Sequence, residues 1–312
     1  MENLKIHNWN NQILNGALKL SKDDSASGMV TYDLGNGFIL KVIVETAFEK
    51  DELRDFKCNL ERKILHSKEL VGTDIVLPHT MYMDHDEVVG YTVPKILLPN
   101  IGDTLEKNKT FSNVSNVLLL LANRVEKLNE QGIVFPDLCT YGNIFYDART
   151  GSFKFIDYDG IQIFDTWSDS VSALIKYDFN YMYASEKYTA PGNFLWTSNI
   201  DKASIVALYL KKLLGVNILE DPIFAFYQDV QMTDGGLISF DKDEFLHKKI
   251  NTTLDNYGII DDETRKSVVK IFDLNVDNDP PSKVIQHIVD SCEVVRNRKR
   301  LLKLKKWCLT LK

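Results

Sequence analysis

The sequence predicts an α+β protein with two lobes, a small β-rich N-terminal lobe and a larger helical C-terminal lobe. Up to about residue 98, short runs rich in β-branched and aromatic residues alternate with a single helical pattern. Beyond that point long apolar helical patterns predominate. The predicted divisions are the N-terminal lobe, residues 1–98, the helical lobe, residues 99–290, and a basic tail, residues 291–312.

The composition is that of a globular protein. Hydrophobic residues make up 44% of the 312-residue chain, enough for a sizeable core, and the net charge of −7 gives no reason to expect nucleic acid as a partner. The four cysteines are far apart, so neither a zinc site nor a disulfide framework is indicated. The first residues lack a signal-peptide pattern, and the longest apolar run, "VLLLLA", is too short to cross a bilayer. We therefore expect a soluble, cytoplasmic protein.

The N-terminal lobe is predicted to contain a hairpin and then a helix. The runs "GMVTYDL" and "GFILKVIVE" favour strands and are joined by the turn Gly35-Asn36-Gly37. Glu61 lies beside the apolar stripe of the helix. This stripe recurs at steps of three and four residues and consists of Leu53, Phe56, Leu60 and Ile64.

A second predicted hairpin and a connecting segment complete this lobe. The runs "IVLPHTMYMD" and "EVVGYTVPKI" follow each other closely and favour paired strands. The next segment, "LLPNIGDT", contains Pro, Asn and Gly, which are frequent in connections. We expect it to be the hinge between the lobes.

The C-terminal lobe is predicted to contain two interior helices. "SNVSNVLLLLANRVEKLNEQG" is apolar on most sides at its centre and ends at Gly132, and "IDKASIVALYLKKLLG" has the same character. Two β-rich runs lie between them. Three or four more helices are predicted between residues 218 and 310.

Four side chains are candidates for chemistry. The stretch "FPDLCTYGNIFYDARTGSFKFIDYDG", residues 135–160, places Asp137, Asn143 and Asp157 beside short apolar runs, although such residues are also common in ordinary turns. Lys41 lies inside an apolar strand, where an unpaired ammonium would be costly to bury. It therefore needs anionic partners, unless it extends to solvent from an edge strand. Glu61, twenty residues further on, is one candidate partner.

These motifs, in this order, resemble the protein kinase-like superfamily, and in particular a divergent Ser/Thr kinase of the eukaryotic-like type found in bacteria. "GIVFPDLCTYGNIFYD" is similar to the catalytic loop, and "FKFIDYDG" is similar to the strand that delivers a magnesium-binding aspartate. "YTAPGNF" is similar to the end of the activation segment, and Asp201 matches the start of the helix that anchors the catalytic loop. The resemblance spans about residues 13–290 and implies a protein kinase-like fold.

The resemblance implies a phosphotransferase that uses ATP and Mg²⁺ and acts on a Ser or Thr hydroxyl of a protein substrate. Lys41 would hold the phosphates, and Glu61 would hold Lys41. Asp137 would be the catalytic base. Asn143 and Asp157 would bind magnesium.

The sequence departs from the family pattern at several places. In the phosphate-covering loop, "DDSASGMV" keeps only Gly28 and Val30, the two residues that we expect to help bind the cofactor. The usual His-Arg pair of the catalytic loop is replaced by Phe135-Pro136. In "DYDG", Asp159 stands where the family has glycine, and we expect it to cap a turn or to add a metal ligand.

These departures leave two alternatives open. One is a pseudokinase, a nucleotide-binding or scaffold module that keeps the fold and transfers nothing. The other is a small-molecule kinase of the aminoglycoside or choline kinase type, which the loose catalytic loop fits and the "YTAPG" segment fits less well.

The charge of the chain is unevenly distributed, and the C-terminal tail is basic. Residues 293–312 contain eight Lys or Arg and one Glu. If the tail is helical, one of its faces is apolar and consists of Leu301, Leu304, Cys308 and Leu311. We expect either a final helix packed on its own lobe or weak contact with an anionic membrane or an acidic partner.

Overall fold

The computed structural model of the chain describes residues 4–21, 28–138, 141–163, 166, 197–214, 261–271 and 278–291. They form mixed α and β structure, with a sheet near the N-terminus and several helices. They group into two compact units. The first contains the described residues up to Thr104 and those from Gln131 to Thr166, and the second contains the others. The described residues between 131 and 166, which were expected in the helical lobe, group with the first unit.

A six-stranded sheet is the main element of the first unit. Its strands lie in the order β1-β5-β6-β4-β3-β2, and only the β1–β5 pair is parallel. The strand bounds are β1 Lys5–Asn8, β2 Leu18–Lys19, β3 Met29–Asp33, β4 Phe38–Ile43, β5 Thr80–Asp84 and β6 Glu87–Pro94.

Both predicted hairpins are confirmed. Strands β3 and β4 are antiparallel across a turn in which Gly35 and Gly37 have φ of 73° and 88°. Strands β5 and β6 are joined by His85 and Asp86, with φ of 46° and 66°, the left-handed conformation that a two-residue hairpin loop favours. Strands β1 and β2 were not predicted, because their side chains are exposed and leave no apolar alternation in the sequence.

Helix α1, Lys50–His66, confirms the predicted apolar stripe. The Glu52 carboxylate accepts a hydrogen bond from the backbone N–H of Glu49 at 3.2 Å, which satisfies a donor at the helix N-terminus. Phe56, Leu60 and Ile64 are buried. Their burial fixes the rotation of the helix about its axis.

The predicted hinge segment is partly helical. Helix α2, Ile101–Lys107, begins within it, because the side-chain oxygen of Asn100 accepts a hydrogen bond from the N–H of Asp103 at 2.8 Å and caps the helix. A Cβ on Gly102 would lie 3.1 Å from the Cβ of Tyr141. This glycine therefore permits a close approach and does not mark a loop.

Four short strands complete the first unit. β7 Ile133–Val134 pairs with β10 Gln162–Ile163, and β8 Ile144–Asp147 pairs with β9 Ser152–Phe155, both in antiparallel orientation. The two β-rich runs predicted between the interior helices correspond to β8 and β9.

The second unit is helical in its described part. Its helices are α3 Phe111–Asn129, α4 Asn199–Leu214, α5 Asp262–Lys270 and α6, residues 281–291. Helices α3 and α4 pack together, with a hydrogen bond of 2.9 Å between the hydroxyls of Ser115 and Tyr209. The buried carboxylate of Asp201 accepts a hydrogen bond from Asn129 at 2.6 Å. Within the described ranges, no helix combines the length and apolar character needed to cross a bilayer.

Candidate functional site

Lys41 lies on β4, a central strand of the sheet. Its direct neighbours in the register are Thr31 on β3 and Tyr91 on β6. Directly opposite residues of an antiparallel pair share a face, so these three side chains lie on the same side of the sheet. The Lys41 side chain is 14% exposed, which leaves its ammonium largely dependent on protein partners.

Two aspartates supply those partners. The Lys41 Nζ lies 2.5 Å from Oδ1 of Asp157 and 2.5 Å from Oδ1 of Asp159. The Asp157 side chain is 30% exposed, whereas that of Asp159 is 9% exposed. The Asp157 carboxylate is therefore partly open to solvent, whereas the Asp159 carboxylate is almost fully buried.

The backbone around Asp157 forms a strained turn. Asp157 has φ 69° and ψ 53°, a left-handed conformation that non-glycine residues seldom adopt. A 3₁₀ turn, Tyr158–Gly160, follows, and the N–H of Gly160 donates to the carbonyl oxygen of Asp157 at 3.0 Å. This conformation directs both carboxylates toward Lys41, and such strain is frequent at functional sites.

Two further hydrogen bonds, one from the sheet and one from α1, hold Asp159, and a third holds its neighbour Tyr158. The hydroxyl of Tyr91 donates to Asp159 Oδ1 at 2.6 Å. The buried Lys63 Nζ donates to the backbone carbonyl of Asp159 at 2.5 Å. In return, the hydroxyl of Tyr158 donates to the carbonyl of Lys63 at 2.7 Å. The turn is thus attached to α1 by two hydrogen bonds that run in opposite directions.

These contacts set the charges of the cluster. Burial favours neutral Lys41, but the carboxylates of Asp157 and Asp159 outweigh it and raise the pKa of Lys41. Burial likewise favours protonated Asp159, but the Lys41 ammonium and the Tyr91 hydroxyl lower the pKa of Asp159 below its ordinary value. Burial and the Asp159 charge raise the pKa of Tyr91, which remains a neutral donor. The cluster is an ammonium between two carboxylates, one buried and one partly exposed, and the Tyr91 hydroxyl is bonded to the buried one.

Asp137, Asn143 and Asp157 line one small recess of about 10 Å³ that is open to solvent. The Asn143 Nδ2 donates to Oδ2 of Asp137 at 3.2 Å and to its carbonyl at 3.3 Å. The carbonyl of Asn143 accepts from the N–H of Ile156 at 3.0 Å. These bonds hold the segment that contains Asp137 and Asn143 beside the segment that leads into Asp157.

The rest of the recess is apolar. Its walls include Phe135, Leu138, Phe155 and Ile161, all buried. The rings of Phe135 and Phe155 pack with their centroids 4.9 Å apart. Phe135 and Pro136 are both buried and so contribute to the core beneath the recess.

Among the described residues, Lys41 forms ion pairs with the two aspartates and none with Glu61, the partner expected from the sequence. The reason is the rotation of α1. At 100° per residue, Glu61 lies about 200° around the helix from Lys63, the residue that reaches the Asp159 turn. The sequence identified the helix correctly but not the side of it that faces the site.

Gly28 and Val30, which were expected to help bind the cofactor, lie directly before and within β3. Val30 lies opposite Val42, so its side chain is on the opposite face of the sheet from Lys41. Gly28 has φ 65°, and a Cβ there would lie 2.3 Å from Cζ of Phe48. A glycine is therefore needed at this position because the Phe48 ring occupies the space of a side chain. Residues 23–27, the rest of the expected phosphate-covering loop, lie outside the described residues.

Two further expectations fall outside the described residues. One is the activation-segment motif "YTAPGNF", residues 188–194, and the other is the basic tail from residue 293 onward. Asp201 is described, and its carboxylate joins α4 to α3 through Asn129.

Three residues at the site were missed or misjudged from sequence. Asp159 caps no turn with its side chain, since that carboxylate binds Lys41 and Tyr91. The clue in the sequence was its position two residues after Asp157. Tyr91 and Lys63 gave no clue, because each lies in an ordinary strand or helix pattern.

The donors of this site are suited to a cation with oxygen ligands. Asp157 is partly exposed at the recess, and within the described ranges no donor contacts Oδ1 of Asn143 or Oδ2 of Asp157. No group of three or more His, Cys, Asp or Glu side chains suited to a metal occurs among the described residues. Mg²⁺ does not require one, because it binds through one or two carboxylates together with phosphate oxygens and water.

Comparison of the chain with models of known protein families gives no match. Comparison with curated proteins gives no match either.

Proposed function

We propose that the chain is an ATP- and magnesium-dependent phosphotransferase with a protein kinase-like fold, acting on a Ser or Thr hydroxyl of a protein substrate. The main support is the meeting of Lys41 and Asp157, which are 116 positions apart and lie 2.5 Å from each other. Asp157 also shares a recess with Asp137 and Asn143. An ammonium, two carboxylates and an amide in one place are the groups that phosphoryl transfer requires.

Asp157 and Asn143 would hold the magnesium ion. Both present oxygen atoms without a described protein donor, and Asp157 is the more exposed of the two carboxylates on Lys41. Magnesium-bound ATP supplies the transferable phosphoryl group and partial neutralisation of its charge. Lys41, with a raised pKa, remains a cation and would bind phosphate oxygens at the edge of the recess.

Asp137 would orient the acceptor hydroxyl and accept its proton. It is half-buried, and the amide of Asn143 donates to its Oδ2, which restricts the rotation of the carboxylate. A fixed carboxylate next to the metal ligands costs little reorganisation during the reaction. The apolar walls of the recess would exclude water only once a ligand covers its opening, and the electrostatic interactions inside would then be stronger.

A pseudokinase is the second candidate, favoured by one specific observation. Two carboxylates contact Lys41, and a module in which both stay there when nucleotide binds leaves no ammonium charge for the phosphates. Such a module would bind nucleotide weakly and transfer nothing. The small-molecule kinase alternative differs only in the acceptor, so it is tested by the choice of acceptor.

The decisive experiment is transfer of label from γ-labelled ATP with magnesium, using purified protein alone, with generic protein substrates, and with aminoglycosides and choline. We expect transfer to protein, and a loss of at least about a hundredfold in Asp137→Asn and in Asp157→Ala. The matched control is Asp55→Asn, which removes the same charge from a half-exposed aspartate on α1.

Each outcome separates the candidates. Transfer to small acceptors but not to protein would replace the proposed substrate class. Magnesium-dependent nucleotide binding without transfer, lost in Asp157→Ala, would favour the pseudokinase. Absence of any nucleotide binding by the wild-type protein would overturn the proposal.

A further inference from the structure

Lys41 has two carboxylate partners, but under the proposed function only one of them can stay. Asp157 is the partly exposed partner, and it would be drawn to the metal when magnesium and nucleotide bind. Asp159 is 9% exposed and does not line the recess. The partner that remains with Lys41 is therefore Asp159.

The geometry shows how Asp159 is itself kept in place. Its Oδ1 accepts hydrogen bonds from both Lys41 Nζ, at 2.5 Å, and Tyr91 OH, at 2.6 Å. Lys41 and Tyr91 are directly opposite each other on β4 and β6, so one oxygen atom joins neighbouring strands of the same sheet face. Tyr91 is fully buried, which leaves its hydroxyl little freedom to choose another partner.

Helix α1 reaches Lys41 through this turn and not directly. Lys63 donates to the Asp159 carbonyl, and its own carbonyl accepts from Tyr158. The connection from helix to lysine therefore runs from Lys63 through Asp159 to Lys41. The glutamate of α1 that sequence suggested for this task, Glu61, takes no part in it.

We propose that Asp159 is a positioning residue that fixes the Lys41 ammonium for nucleotide phosphates while Asp157 binds the metal. This inference rests on the proposed function. It adds that Lys41 is held by Asp159, two positions after the proposed metal ligand, and not by a glutamate of α1.

The test is a titration of purified full-length protein with Mg·ATP and, separately, with adenosine, followed by calorimetry. In Asp159→Asn the affinity for Mg·ATP should fall about tenfold or more, because a charge-assisted hydrogen bond to Lys41 is lost. Adenosine has no phosphates, so its affinity should be unchanged. A residue with a merely structural role would lower both affinities together.

Three further variants sharpen the result. Glu61→Gln and the surface control Asp55→Asn should bind Mg·ATP within about twofold of wild type. Tyr91→Phe removes only the hydroxyl that orients Asp159 and should weaken Mg·ATP about threefold, again without effect on adenosine. If Asp159→Asn fails to fold, this variant alone decides the question.

A thermodynamic cycle completes the test. Asp159→Asn should have little further effect on Mg·ATP binding once Lys41→Met is present, since both substitutions remove the same interaction. Additive losses, equal losses for adenosine, or a loss in Glu61→Gln as large as that in Asp159→Asn would overturn the positioning role and leave the proposed function intact. Wild-type protein that binds no Mg·ATP would overturn both.

Discussion

Two features of the structure require a glycine at position 28, its backbone conformation and the lack of space for a side chain. Its φ of 65° lies in the left-handed region, and the ring of Phe48 occupies the position next to its Cα. That ring is stacked on Phe56 of α1, with centroids 4.8 Å apart. A side chain at this position would have to displace the ring from the stack.

We predict that Gly28→Ala destabilises the protein more than Gly35→Ala does. Gly35 also has a positive φ, 73°, but a Cβ there has open space around it. Gly35→Ala should cost about 1 kcal/mol for the backbone alone. Gly28→Ala should cost about 0.5–1.5 kcal/mol more, because the Phe48–Phe56 stack is disturbed. Urea unfolding of both variants measures the difference, and equal losses would show that the ring moves freely.

At the scale of elements, the N-terminus of α5 depends on one carboxylate. Asp261 Oδ2 accepts a hydrogen bond from the N–H of Thr264 at 2.8 Å and another from the Thr264 hydroxyl. The hydroxyl and the N–H lower the pKa of Asp261. The ionised side chain therefore stabilises the folded helix.

We predict that Asp261→Ala lowers the free energy of unfolding by about 1 kcal/mol at pH 7. Because the pKa is lowered in the folded state, this contribution is complete above the ordinary aspartate pKa of about 3.9 and is lost as the pH falls through the lowered value. The gap between wild type and variant should therefore narrow below about pH 4. Urea unfolding from pH 7 downward measures this difference in the free energy of unfolding.

The control is Asp262→Ala, which removes the same charge from an exposed aspartate in the first helical turn and so reports general electrostatics. An equal effect in both variants would argue against a specific cap.

The rotation of α1 shows what a helical pattern can and cannot predict. Its stripe of Phe56, Leu60 and Ile64 was predicted correctly, since burial of apolar residues follows the helical period. The polar residue that reaches the site is Lys63, which is 1% exposed. A buried lysine within such a pattern cannot be recognised from the sequence, because lysine is usually a surface residue.

At the scale of the whole molecule, ligand binding should raise stability by mass action. The chain has a net charge of −7, so an anionic nucleotide gains little from long-range attraction, and binding must come from local groups such as Lys41.

We predict that Mg·ATP at about a hundred times its dissociation constant raises the free energy of unfolding by about 2.7 kcal/mol. Thermal unfolding with and without ligand measures the effect. ATP with a chelator should give a smaller shift, and Asp157→Ala should remove the dependence on magnesium. An equal shift with and without the chelator would argue against a metal-assisted site.

The sequence by itself determined the two hairpins, the stripe of α1, the interior helices, and the need of Lys41 for anionic partners. These follow from periodicity and from the cost of burying charge, which are properties of neighbouring residues. Only the tertiary structure decided that Asp159 and not Glu61 holds Lys41, and that Val30 lies on the other sheet face. Those choices depend on the rotation of a helix, the register of two strands and the left-handed φ of Asp157, which are settled by contacts between distant segments.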